Sequence, residues 1–249
     1  MLHWMDAAPA LAVKKGADAL GSNSLANRPL ILLTALAGLA LVPFVLIMVT
    51  SFVKIAVVLS IVRQAVGTQQ IPPTQVITGL GIVLTVYIMM PVGLEVYHNA
   101  QERMLQESPK GESMKMSDLT VQQALDLAKE AEGPMKGFLV KHAHLKDRDM
   151  FYKLAWRMRK PRDRATLSDQ DWAIIIPAFV ISELKEAFQI GFILFVPFLV
   201  VDMVVANILM ALGMQMLSPT TISLPFKILL FVMVDGWYLI TKGLVIGYQ

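Results

Sequence analysis

The chain has 249 residues, of which 55% are hydrophobic and only 16% charged, and its mean hydropathy is +0.58. A soluble domain of this length needs far more polar surface, so composition predicts an all-α integral membrane protein. A net charge of +3 with scattered basic residues argues against a nucleic-acid binder, and the lack of cysteine excludes disulfides, thiolate metal sites and thiol nucleophiles.

Residues 1–29 read as an N-terminal tail with Lys14, Lys15 and Arg28. The first apolar block, Leu30 to Val49, has about the 20 residues of a bilayer span. It is too long for a typical signal core and no small-x-small cleavage site follows, so it reads as a retained span. An apolar continuation, Ile55 to Val62, lies beyond Lys54. Gly67 and Pro72-Pro73 then end one helix and start another. A second span covers Val76 to Tyr97 with Pro91 near its end, so residues 30–97 form a first hydrophobic helical pair.

Residues 98–171 are polar with mixed charge and predict a small helical insert. Thr120 and Gln123 have capping-box spacing, followed by an apolar stripe at Val121, Ala124, Leu125 and Ala128. A second stripe at Phe151, Leu154, Ala155 and Met158 ends before Pro161. No alternating pattern predicts a sheet. An insert so long and so nearly charge-balanced leaves orientation open under the positive-inside rule.

Residues 172–249 predict a C-terminal hydrophobic hairpin. Ile174 to Leu217 is too long for one straight crossing, and Phe226 to Ile246 forms the other arm. Within this apolar third sit Glu183, Lys185, Glu186, Asp202, Lys227 and Asp235. Charges in hydrocarbon cost several kcal/mol, so they normally meet a protein partner or a water-filled path. With a turn at residues 218–224, Asp202 lies about 16 residues, or roughly 24 Å, before it, and Lys227 only a few after. Unequal heights predict partners in a neighbouring subunit, with snorkelling to a headgroup as the simpler alternative for Lys227. Between the arms, Met210, Met214 and Met216 surround Gly213 ahead of Pro219. Such an elbow is either a deformable seal or a turn whose methionines fill a core.

Catalysis is not expected. His142 and His144 are two apart, whereas helical zinc ligands are four apart, so a surface pair is the reading and no metal site is predicted. Ser182 and Ser218 lack the glycines of a nucleophile elbow, and no phosphate loop or dinucleotide motif occurs, so no cofactor is expected. A rival class is a proton- or ion-coupled transporter subunit relaying protons through Glu183, Asp202 and Asp235.

Three blocks carry a family resemblance. They are Thr50-Ser-Phe-Val-Lys-Ile-Ala-Val-Val-Leu-Ser-Ile-Val-Arg63 with Gly67-Thr-Gln-Gln-Ile-Pro-Pro73, Pro177-Ala-Phe-Val-Ile-Ser-Glu-Leu-Lys-Glu-Ala-Phe-Gln-Ile-Gly191, and Ile222-Ser-Leu-Pro-Phe-Lys-Ile-Leu-Leu-Phe-Val-Met-Val-Asp-Gly-Trp237. From Leu30 to Gln249 the sequence resembles the FliP/SctR export-gate proteins of bacterial type III secretion. The resemblance implies several copies, about five, in a helical, funnel-like gate. It further implies smaller FliQ/SctS-type and FliR/SctT-type membrane subunits, an FlhB/SctU-type switch protein and unfolded protein substrates. It places the assembly in the inner membrane in contact with lipid, with the insert periplasmic and the gate projecting to that side. Glu183, Lys185, Asp202 and Lys227 then become inter-subunit or buried charges. Met210, Met214, Gln215 and Met216 fall on the family's methionine-rich constriction, where Gln215 departs from a run of methionines; the resemblance favours the seal over the core filler. The ends Gly243 to Gln249 and Pro91 to Tyr97 look more like the injectisome branch than the flagellar one.

Overall fold

The computed structural model describes residues 29–68, 71–107, 121–214 and 216–249. Thr120 and Gln215 lie outside them. Two compact units divide the chain, Met1–Leu46 and Ile47–Gln249. Helix α1, Pro29–Met48, belongs almost wholly to the first; it starts on a proline, whose fixed φ suits a first turn, and continues through Pro43.

The second unit is helical throughout its described residues: α2 Phe52–Val66, α3 Thr74–Glu107, α4 Val121–His142, α5 Leu145–Met158, a 3₁₀ turn Pro161–Asp163, α6 Trp172–Ala211, α7 Pro219–Met233 and α8 Gly236–Ile246. The punctuation follows the sequence. Gly67 ends α2 in the left-handed region at φ 84°, donating its N–H to the Gln64 carbonyl. Pro72 and Pro73 precede α3, and Ser218 with Pro219 opens α7. α3 continues through Pro91 and past residue 98 to Glu107. α6 is 40 residues long, about 60 Å at helical rise.

α3 and α6 are each long and apolar enough to cross a membrane, and α7 with α8 qualifies as a broken pair bent by 59°. The break falls at Asp235, whose φ of 52° is left-handed for a residue with a Cβ. α2 lies against α6 so closely that a Cβ on Gly191 would come within 2.4 Å of Ile61 Cδ1. One buried cluster joins α2, α3, α6 and α8 through Ile55, Val58, Leu59, Val62, Ile77, Ala187, Ile240 and Leu244. A second joins α4 to α6 through Phe138, Leu139, Ala143, Ile175, Ala178 and Phe179, closed by Tyr248.

Both insert helices form where their stripes predict, but the second stripe is not the buried face. On α5, Leu154 and Met158 are exposed, while Asp147 and Arg148 are buried. The reason is that α5 seats a polar face on polar residues of α6.

Candidate functional site

Two charged clusters cross-link the apolar helices. The first spans the C-terminal hairpin. Asp202 stands nine residues before the end of α6 at Ala211, and Lys227 eight residues after the start of α7 at Pro219. The turn therefore lies at residues 212–218, six residues earlier than the predicted 218–224, and the two charges reach equal height. Lys227 Nζ lies 2.6 Å from Asp202 Oδ2, and Ser223, one turn before Lys227 on α7, donates its hydroxyl to Asp202 Oδ1. The expectation of partners in a neighbouring subunit is thus corrected: the pair forms within one chain. Lys227 is 4% exposed and does not snorkel.

The second cluster lies where α2, α5, α6 and the last residues meet. Lys54, on α2, is fully buried with its Nζ 2.5 Å from Glu186 Oε2 and 3.6 Å from Glu183 Oε1. The same ammonium sits 4.1 Å from the centroid of the Tyr248 ring, whose hydroxyl donates to Glu183 Oε2. A cation over an aromatic face and beside two carboxylates has its desolvation cost offset from three directions. Glu183 and Glu186 lie one helical turn apart on α6, which is why a single lysine reaches both.

Glu186 Oε1 also lies 3.0 Å from His144 Nε2. Beside it, the Ser182 hydroxyl donates to Asp147 Oδ2 and accepts the His144 backbone N–H, both at 2.9 Å, while Lys185 donates to Asp147 Oδ1. Of the predicted charges, Glu183 and Lys185 therefore meet in this cluster and Asp202 and Lys227 in the other. Lys54, Glu186, Asp147, Ser182 and Tyr248 were not singled out as members of a common site. Lys54 had a signal, as a lone cation in an apolar run; Asp147, in a polar insert, had none.

His142 ends α4 and packs between Phe138 and Tyr248, with ring centroids 4.7 and 5.0 Å away. Burial, then the charges of Lys141 and Lys54, lower its pKa to about 4. Asp147 is pushed up by burial, but hydrogen bonds from Lys185 and Ser182 outweigh this and its pKa falls below the usual carboxylate value. Both shifts have one sign. Between about pH 6.5 and 4 the unfolded chain binds a proton at His142 that the folded chain does not, so stability falls as pH drops. Asp147 loses its contribution further down, as pH falls through its folded pKa. A His142→Phe variant is expected to lose about 2 kcal/mol less than wild type between pH 7 and 4.5. Unfolding curves in detergent at the two pH values measure this; parallel losses would refute a neutral, half-buried His142.

At the elbow, Met210, Met214 and Met216 are exposed, Met216 completely. Gly213 turns the chain at φ 74°, and no group of three potential metal ligands occurs among the described residues.

Long apolar helices, cross-linked by charged clusters at Lys54 and at Asp202, define an all-helical protein of the membrane class. The FliP family model matches residues 33–244. The chain is 38% identical over 212 residues to the Hypersensitivity response secretion protein HrcR of Ralstonia nicotianae, covering 85% of this chain and 94% of that one. It is 45% identical to the Flagellar biosynthetic protein FliP of Bacillus subtilis, over 86% of this chain and 89% of the relative. It is 41% identical to the Yop proteins translocation protein R of Yersinia pestis, over 87% and 95%. The chain belongs to the FliP family of type III export components. Secretion and flagellar relatives match to similar extents, so identity does not sort it into either branch.

Proposed function

We propose that several copies of this chain assemble with FliQ/SctS-type and FliR/SctT-type subunits into the closed gate of a type III export apparatus in the bacterial inner membrane. Unfolded polypeptide passes through it, an FlhB/SctU-type protein sits at its entrance, and the insert and much of the assembly project to the periplasmic side. The gate does no covalent chemistry. The observation that carries this reading is the elbow: Met214 and Met216 are exposed between two arms that Asp202 and Lys227 tie together. A latched hairpin presents its tip at a defined height, and flexible thioether side chains at that tip suit a seal that yields to varied cargo. Exposure of Met216 weighs against the core-filler reading, and the α6 and α3 flanks remain open to neighbours or lipid.

The transporter reading is weaker. Glu183 and Asp202 lie 19 residues apart on α6, about 28 Å, and each is held in its own cluster. The gate is tested with the Met214→Ala/Met216→Ala variant in the assembled complex. We expect a rise in ion permeability while cargo export continues; unchanged permeability would refute the methionine seal.

A further inference from the structure

We propose that Lys227 joins three elements and not two: besides pairing with Asp202 across the C-terminal hairpin, its ammonium caps the end of α2, and Gly67 is the residue that positions it there. A Cβ on Gly67 would lie 3.6 Å from Lys227 Nζ and 3.8 Å from Leu224 Cδ1. The glycine that ends α2 therefore sits between two side chains one helical turn apart on α7. Lys227 Nζ is at the same time 2.6 Å from Asp202 Oδ2, and the side chain is buried. α6, α7 and the end of α2 converge on one cation.

The end of α2 suits that cation. An α-helix leaves its last carbonyls without intrahelical donors and carries a partial negative charge there. A lysine in the last turn of a helix often serves this end from within its own chain segment. The basic residue in the last turn of α2, Arg63, is committed elsewhere: its Nη1 donates to the Thr74 hydroxyl at the start of α3, at 2.9 Å. Gly67, at φ 84°, has no side chain to shield the helix end, so the approach from α7 is open.

The contact bears on how the hairpin is held. Asp202 and Lys227 fix its two arms to each other, and the contact with α2 fixes the α7 arm to the first helical pair. The turn at Gly67 then sets where the elbow stands relative to α2. The elbow shifts only if the ammonium leaves α2 or α2 moves with it. The inference rests on the latched hairpin of the gate reading alone. Its tests read stability and thiol chemistry, so they succeed or fail whether or not the methionines seal a pore.

Moving the counter-ion from α6 to α2 is the first test, made on the full chain in mild detergent. Asp202→Asn leaves Lys227 without a counter-ion and is expected to lower the thermal unfolding midpoint by about 5 °C or more. Adding Gly67→Asp places a carboxylate one carbon beyond a Cβ that is 3.6 Å from Nζ, within hydrogen-bond reach. Asp and Asn both accept a left-handed φ better than most side chains. Gly67→Asp is therefore expected to recover at least half of the loss in the Asp202→Asn chain, whereas Gly67→Asn recovers none. In the wild-type chain both should lower the midpoint. A glycine kept only for its backbone would treat the two substitutions alike, so equal midpoints for Gly67→Asp and Gly67→Asn in the Asp202→Asn chain overturn the proposal.

A second measurement decides the matter if those double variants do not fold. The chain has no cysteine and Gly67 is exposed, so Gly67→Cys introduces a single thiol that iodoacetamide can reach. A nearby ammonium favours the thiolate. The pH midpoint of alkylation should lie at least about half a unit lower, roughly a threefold difference in thiolate formation, than in Gly67→Cys/Asp202→Asn/Lys227→Met. Removing both members of the pair avoids leaving a lone charge. Equal midpoints in the two proteins place the ammonium away from α2 and overturn the proposal.

Discussion

Replacing Lys54 with methionine is expected to cost about 3–5 kcal/mol, the usual effect of removing one partner from a buried ion pair. Methionine fills a similar volume, so the loss comes from charge. Glu183 is fully buried, and Oε1 has no hydrogen bond, only the lysine 3.6 Å away. Without that cation, two carboxylates one helical turn apart face each other and the face of Tyr248 loses its ammonium. Against a total stability of about 5–15 kcal/mol, such a loss prevents normal accumulation of many proteins. Thermal unfolding in detergent and yield from membranes measure it. Lys54→Met/Glu183→Gln should regain most of the difference, because a neutral amide can still accept the Tyr248 hydroxyl. A single variant within about 1 kcal/mol of wild type would show that the cluster does not hold α2 to α6.

The second large effect concerns the hairpin latch. Asp202→Lys and Lys227→Asp should each abolish export and loosen the α6–α7 arms, since each places two like charges at the 2.6 Å contact. The exchanged double variant should recover, with a coupling energy of about 1–3 kcal/mol in a double-mutant cycle. Asp202→Asn should lose stability, because Lys227 keeps a buried charge without its counter-ion, but should retain measurable export, because the amide oxygen can accept from Lys227 while the amide N–H donates to a turned Ser223 hydroxyl. This separates structure from proton transfer. If the exchanged pair stays inactive and Asn is inactive too, Asp202 acts as a proton carrier and the latch is wrong.

Much of the fold was legible in the chain, because local chemistry decides where helices begin and end. Gly67, Pro72-Pro73 and Pro219 mark boundaries that the helices obey, and apolar length alone identified the long arms. The family blocks were legible for the same reason, being continuous in sequence. Whether Asp202 and Lys227 meet was not legible, because it depends on the turn's position. Six residues of error in the turn change the predicted height of one charge relative to the other by several helical rises, enough to turn a direct contact into a gap.

The insert shows the same limit from another side. Reading its stripes assumes that the apolar face is the buried one, a good rule when the surface it meets is apolar. Here α6 offers Ser182 and Lys185, so α5 turns Asp147 toward them and leaves Met158 exposed. By itself, the sequence determined that the chain is helical, membrane-compatible and in need of partners for its charges. Only the tertiary structure decided which partners they are, because each pair joins residues 25 to 132 positions apart, and helix register brings such residues together in a way that no local pattern records.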